Sequence, residues 1–344
     1  MYCIRGERYT TQDHGQARAL RTGIAIHTII ITMSTTHFKN VTVFGAGGTT
    51  IGHHLVKALA AKPDLFTVTI LARRSSKSTF PAGVQVKYVD DALPHDQLVA
   101  ALQGQDALIS AIGSGALALE ERLIDAAADA HVNRFFPSEY GLNNTHARAR
   151  ALCPIVDTKG AMLEYVATKQ PQRLTWTAVP TGLWLDWALE PAIAFAGINV
   201  RDLTAALWQQ GQHRLSWSTL PWVAEGIAQL LLAPPEDTAN KVVPLHGFSA
   251  SQNEVVAALE QIQCVKYAVS TLDDDAIVAA ARQSWDQNKD FQSALGLLKA
   301  GLFLDGYGSD LVGEGLVPLG NEFLDLPPLK LEDVVKAAVE RWAQ

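Results

Sequence analysis

Four glycines crowd one stretch of this chain, Val41-Thr42-Val43-Phe44-Gly45-Ala46-Gly47-Gly48-Thr49-Thr50-Ile51-Gly52, and the chemistry such a cluster serves is phosphate binding. Glycine allows a sharp turn and lets a pyrophosphate come within reach of backbone N–H groups, while the positive end of a following helix favours its charge. Gly45, Gly47, Gly48, Thr49, Thr50 and Ile51 are therefore candidate cofactor-binding positions. Residues of strand character lead into the cluster, and Leu55, Val56, Leu59 and Ala60 follow at helical spacing, the opening of a dinucleotide-binding unit. The spacing is unusual: GxGxxG would put glycine where Thr50 stands and GxxGxxG where Ile51 stands, so the loop reads as one residue longer. Gly47 to Gly52 also fits half of a nucleoside triphosphatase loop, but His53 and His54 occupy the positions that need Lys and Ser/Thr, which excludes that chemistry.

The second group with chemical meaning is Arg73-Arg74, at the end of the β-branched run Leu65 to Leu71. An acid at this point of the fold holds a ribose 2′-hydroxyl, whereas a 2′-phosphate calls for arginine. With two arginines and no acid, NADPH/NADP+ is the expected cofactor, more clearly through Arg73 than through Arg74. Further along, Ala107 to Ile112 closes on Gly113-Ser114-Gly115, small residues that let the backbone pass close to a cofactor, which adds Ile112 and Gly113.

These residues need a scaffold, and the chain supplies one. Strand-like Val84 to Val89 and helical Leu98 to Leu102 continue an alternation of strand and helix, which calls for a parallel, doubly wound sheet with ligands beyond the carboxyl ends of its strands. At 344 residues, 48% hydrophobic and 18% charged, the chain can bury a sizeable core and form two lobes. A net charge of −7 without blocks of like charge points to no nucleic-acid or polyanion partner. Cys3, Cys153 and Cys264 form no CxxC, which argues for a reducing, cytoplasmic setting and against a zinc site or any other metal centre. The first 32 residues carry Arg5, Arg8, Arg18 and Arg21 and a short apolar run, Ile24 to Ile31, too short for a bilayer and without a cleavage pattern. Glu7 and Asp13 argue against a mitochondrial leader, and Met33-Ser34-Thr35-Thr36 resembles a second start, so residues 1–36 read as a loose extension.

After the helical stretch Leu117 to Ala130 comes Arg134-Phe135-Phe136-Pro137-Ser138-Glu139-Tyr140-Gly141. This segment resembles the fifth strand, much like RFxPSEFG, of the NmrA-like, isoflavone reductase-like branch of the atypical short-chain dehydrogenases, and the resemblance runs from about Asn40 to the C-terminus. It implies a mostly parallel Rossmann-type sheet with a smaller α+β substrate lobe. It also implies an NADPH-dependent reductase acting by hydride transfer on a small, aromatic or conjugated organic molecule. In reductases of this family a lysine in the next helix is the catalytic acid or base, and Lys159 in Asp157-Thr158-Lys159-Gly160 is the position that matches. The role is physically sensible, since desolvation disfavours an ammonium and lets a lysine exchange a proton near neutrality. Ser138 and Glu139 are expected beside the nicotinamide together with Lys159, and Tyr140, Gly182, Trp184 and Trp187 at the substrate. Packing is an equally good reading of the two tryptophans, and Met162 and the Leu297, Leu298, Phe303 group are lining or plain core.

Tyr165-Val166-Ala167-Thr168-Lys169 satisfies the YxxxK of ordinary short-chain dehydrogenases, with Ser138 as a third member, and would suit an epimerase or dehydratase. It ranks second, because Tyr165 reads as core-facing and Lys169 lies where Pro171 must end the helix. A rival of another class is a non-catalytic NAD(P)-sensing regulator that binds a protein partner; Lys159 argues against it and the altered glycine spacing slightly for it.

The remaining sequence fits a Rossmann domain over residues 37–182 with a return segment at 221–248, and a discontinuous substrate lobe over 183–344. Leu174 to Pro180, Lys241 to Leu245 and Val265 to Leu272 read as strands, and Pro221 to Leu232, Asp273 to Trp285, Phe291 to Leu304 and Leu331 to Ala343 as helices. Ser251-Gln252-Asn253-Glu254 is a capping box, and Gly306 to Gly320 a mobile-loop candidate. The expected partner is a small molecule, with neither nucleic acid nor membrane, and a homodimer is the assembly to consider.

Overall fold

Alternation along the first strand sets the layers. In β1 (Asn40–Phe44), Val41 and Val43 turn to one face of the sheet, and Phe44 to the other. The computed structural model describes residues 38–316 and 319–342, so the expectations for residues 1–37, Cys3 and Met33 among them, lie outside the described residues. From β1 the chain continues through α1 (Ile51–Ala60), β2 (Thr67–Arg73), β3 (Gln85–Val89), α2 (His95–Leu102), β4 (Ala107–Ser110), α3 (Glu120–Asp129) and β5 (Arg134–Phe136). Then come α4 (Ala147–Leu152), α5 (Pro154–Ala167) and β6 (Thr175–Ala178). The second half holds β7 (Leu183–Trp184), α6 (Leu185–Ala188), β8 (Ile198–Asn199), β9 (Thr204–Leu207), β10 (Arg214–Ser218), α7 (Leu220–Leu232), α8 (Pro235–Thr238) and β11 (Lys241–Val242). It ends with β12 (Phe248–Ser251), α9 (Gln252–Gln263), β13 (Ala268–Thr271), α10 (Asp274–Asn288), α11 (Phe291–Phe303) and α12 (Leu331–Trp342).

Seven strands form one sheet in the order β11-β6-β5-β4-β1-β2-β3, every ladder parallel. The direction of winding reverses between β1 and β4, so a crevice opens beyond their carboxyl ends. Leu55, Val56 and Leu59 of α1 pack with Val223, Ile227 and Leu230 of α7 over Val41, Val43, Ile70 and Ile109. The opposite face carries Leu98, Leu102, Leu123, Ile124 and Val166 over Leu71, Leu108 and Phe135. Leu55 has no exposed surface, so truncating it to Ala costs about 2–5 kcal/mol. Two three-stranded sheets, β12-β10-β7 and β13-β9-β8, complete the architecture.

Arg134 fastens the far side of the large sheet. It donates to Thr175 Oγ1 (2.8 Å), Thr177 Oγ1 (2.6 Å), Thr238 Oγ1 (2.7 Å) and the Pro235 carbonyl (2.8 Å), so one buried side chain joins β5, β6 and α8. Among the described residues no acid pairs with it, and burial draws its pKa down to about 10.

Some boundaries differ from the sequence reading. Leu65 and Phe66 are spent on the turn after α1, with both amides donating to the Lys62 carbonyl, so β2 begins at Thr67. The stretch read as one helix from Leu117 is a 3₁₀ turn, Ser114–Leu119, followed by α3. Residues 306–316, expected to be mobile, are tied down: the Ser309 carbonyl accepts from the Ser216 amide (2.9 Å), Leu311 N donates to Ser216 Oγ (2.9 Å), and both Ser309 and Leu311 are buried.

Candidate active site

At the end of β1 the chain reaches the crevice and turns at Gly45, whose φ of +94° disfavours any side chain. A Cβ there would also lie 2.4 Å from the Ala111 carbonyl oxygen after β4. Gly52, in the first turn of α1, meets the Gly45 carbonyl just as closely, at 2.4 Å from a would-be Cβ. The lengthened loop thus keeps the two structural glycines at its ends, with the extra residue between them. Thr50 makes no side-chain cap and the first turn of α1 has no acid, so its amides face the crevice without an internal anion. Ser78 reaches over from the β2–β3 connection and donates to the Gly47 carbonyl at 2.9 Å.

The resulting cavity measures about 300 Å³, and Gly45, Gly47, Gly48, Arg73, Ile112 and Gly113 all line it. Ser76, Ser78 and Phe80 line it too. Sequence reasoning missed these three; the only signal for them was their position just past the arginine pair. Arg74 is not in the cleft. Next-door residues at a strand end diverge, and Arg74 Nε donates to Asp90 Oδ1 at 2.6 Å. This bond and that from Gln97 hold the Asp90 carboxyl below its usual range, the Gln97 bond more strongly. Thr49 is exposed on the outside of the loop and lines neither this cavity nor the next.

Ala111, Ile112 and Gly113 form a wall shared with a second cavity of about 430 Å³. Thr50, Ile51, Ser138, Tyr140, Lys159, Gly182, Trp184 and Trp187 line this one. Its surface is mainly apolar: Trp184 and Trp187 meet edge to face at 6.0 Å, Phe195 packs on Trp187 at 5.0 Å, and α11 contributes Phe291, Leu295, Leu298 and Leu302. Of the proposed apolar lining, only Leu298 faces the cavity; Leu297 and Phe303 are core, and Met162 packs against core.

Lys159 is set by close packing of α5. A Cβ on the adjoining Gly160 would stand 2.7 Å from the Asn144 carbonyl oxygen, so glycine brings the helix against the 144–150 segment. Lys159 Nζ donates to the Ser138 carbonyl, and Ser138 Oγ donates to the Ile112 carbonyl at 2.8 Å, linking the lysine to the shared wall. Glu139 lines neither cavity, because it turns beneath the surface, where Asn144 Nδ2 donates to Oε2 at 2.5 Å and Oε1 has no partner. Burial pushes its pKa up to about 7, against the pull of Lys159 and Asn144. Glu120, also buried, accepts from Ser138 N at 2.8 Å, and burial raises its pKa as well. Tyr140 Oη donates to the Ser110 carbonyl at 2.9 Å; burial first, then the two carboxyls, keep its phenol neutral.

Tyr165 and Lys169 lie elsewhere. Lys169 Nζ donates to Tyr165 Oη at 3.0 Å, and both engage Asp125 of α3, at 2.5 Å for the lysine and 2.7 Å for the tyrosine. Neither lines either cavity, so the epimerase-like reading loses its pair. Among the described residues, no group of three or more His, Cys, Asp or Glu could hold a metal, and no helix is long and apolar enough to cross a membrane.

Comparison with known proteins extends the picture. The oxidoreductase aprR of Aspergillus flavus is 35% identical over 301 residues, 87% of this chain and 98% of that one. Among solved structures, leucoanthocyanidin reductase from Vitis vinifera, as a ternary complex, superposes with a TM-score of 0.70 at 17% identity, covering 88% of this chain and 99% of that chain. Its binary complex with NADPH gives a TM-score of 0.66 at 16% identity, over 88% of this chain and 99% of that chain. The model of the NmrA-like family matches residues 37–264, and the chain belongs to that family.

Proposed function

We propose that this protein is an NADPH-dependent reductase that delivers hydride to a small aromatic or conjugated organic substrate. The observation that carries the reading is the shared wall at 111–113: the glycine-lined cleft and the apolar pocket that holds Lys159 lie against the same three residues. The residues fit a dinucleotide. Gly45 and Gly52 leave no room for a Cβ, and the uncapped first turn of α1 has no acid to repel a pyrophosphate. Arg73, with the Ser76 hydroxyl near it, would hold the 2′-phosphate, while Ile112, Gly113 and Ser138 would flank the nicotinamide. The relative aprR is named an oxidoreductase, and the leucoanthocyanidin reductase that shares the fold was solved with NADPH, both of which support this reading.

The cofactor, when bound, supplies the hydride; the protein's own work is distance, orientation and the proton. Trp184, Trp187 and Phe195 press on a flat substrate and exclude water. Lys159 gives its proton to the substrate atom that gains electron density, and the Ser138 carbonyl holds the ammonium in position until then.

The test is calorimetric titration with NADPH and NADH, then NADPH consumption with phenolic and conjugated acceptors for wild type, Lys159→Ala and Tyr165→Phe. Tight NADPH binding, with turnover lost in the first variant only, is expected. Preference for NADH, or turnover that survives loss of Lys159, overturns the assignment, and NADPH binding without turnover of any acceptor would favour the sensing regulator.

A further inference from the structure

Lys299 enters the substrate pocket from α11, on the same helical face as Leu295, Leu298 and Leu302. A cation in an apolar wall needs compensation, and elsewhere in this chain partly buried lysines have it. Lys62 pairs with Glu225 at 2.6 Å, Lys169 with Asp125 at 2.5 Å, Lys87 donates to the Ala101 carbonyl at 2.6 Å, and Lys159 to that of Ser138. Among the described residues Lys299 has no hydrogen bond and no ion pair; its Nζ lies 4.8 Å over the Phe195 ring. Burial draws its pKa down with no carboxylate opposing. Among the described residues no acidic side chain lines the pocket, and the charged residues that do are Lys159 on α5 and Lys299 on α11.

Resting on the reductase reading, we infer that the substrate is an anion, an aromatic or conjugated carboxylic acid whose carboxylate pairs with Lys299. The pocket then holds the acid by two kinds of contact. The Trp184, Trp187 and Phe195 rings take the flat apolar body, and the ammonium takes the charged end, leaving Lys159 for the reacting atom. Lys299 is thus a specificity-determining residue, which separates an acid from its neutral ester or amide.

The experiment is calorimetry on the full chain with aryl-propenoic acids and their methyl esters, in the presence and absence of NADP+, for wild type, Lys299→Met and Lys299→Arg. A charge-assisted hydrogen bond in such a setting corresponds to about ten- to a hundredfold in affinity. Wild type should bind the acids more tightly than the esters by about that factor. Lys299→Met should weaken the acids to the level of the esters and leave ester and NADP+ binding unchanged, while Lys299→Arg should restore most of the preference. Equal binding of acid and ester by wild type, binding of neither, or a preference that Lys299→Met leaves intact overturns the inference. NADP+ titration of the same preparations is read separately: its failure strikes the cofactor assignment, while acid and ester binding without NADP+ still judges the anion site.

Discussion

Replacing Arg73 by alanine should abolish most of the discrimination between NADPH and NADH. Arg73 is the last residue of β2, and its exposed side chain lines the glycine cleft, which no acid among the described residues lines. Hydrogen bonds to charged groups contribute about 1.5–3 kcal/mol, or about 10- to 150-fold in affinity, and exposure to salt moves the expectation to the lower end. Ser76 and Ser78 remain in the cleft and retain part of the phosphate's hydrogen bonding, so Arg73→Ala should weaken NADPH about tenfold and spare NADH, which has no 2′-phosphate. Arg74→Ala is the internal control. Its guanidinium is held by Asp90 at 2.6 Å away from the cleft, so its removal should change NADPH affinity by less than about threefold. Calorimetric titrations with both nucleotides, at low and high salt, measure all of this. Equal losses for NADPH and NADH in Arg73→Ala would mean that the arginine shapes the cleft without reading the phosphate, and a larger effect from Arg74→Ala would refute the placement.

Lys159→Met should lower kcat by about 10²–10⁴ while NADPH affinity stays within a few-fold, and Tyr165→Phe should leave kcat near wild type; steady-state kinetics with nucleotide titration checks both. Glu139 makes stability depend on pH in a defined direction. Its folded-state pKa of about 7 exceeds its ordinary 4.5, so between these values the folded chain holds a proton that the unfolded chain has released. Stability from this group should fall as pH rises through that window, by on the order of 1–3 kcal/mol, and level off above it. Glu139→Gln should flatten the slope in urea melts at pH 5, 6, 7 and 8, and an unchanged slope would assign it to other groups. Gly45→Ala should cost at least about 1–3 kcal/mol, since it adds a strained φ to a contact with the Ala111 carbonyl. Gly83→Ala, with φ +84° and nothing within 4 Å of a Cβ, should cost less, and comparison of the denaturation midpoints separates strain from collision.

What could be read from the sequence divides along physical lines. The strand, glycine turn and helix at 40–60 were legible because their signals are local: β-branched alternation, then glycines, then a 3.6-residue apolar period. The same holds for the capping box, where Ser251 accepts from Glu254 N and the Glu254 carboxylate accepts from Ser251 N. Lys159 became legible through the family-like motif before it, not through its own surroundings. Arg73 and Arg74 show where composition stops helping, since two identical residues at a strand end received different fates from the two-residue period and from a carboxylate just past the end of the neighbouring strand. Glu139, expected beside the nicotinamide, lies deeper than its place in the motif suggests, because only the packing of Asn144 shows that its carboxylate turns inward. Lys299 left no signal at all. A single lysine among Leu295, Leu298 and Leu302 reads as the solvent edge of an amphipathic helix, and only the fold brings that edge, about 140 residues after Lys159, to the other side of one cavity wall system. Its meaning is relational, a cation without an acid in a pocket without an acid, and such a property exists only once both helices are in place.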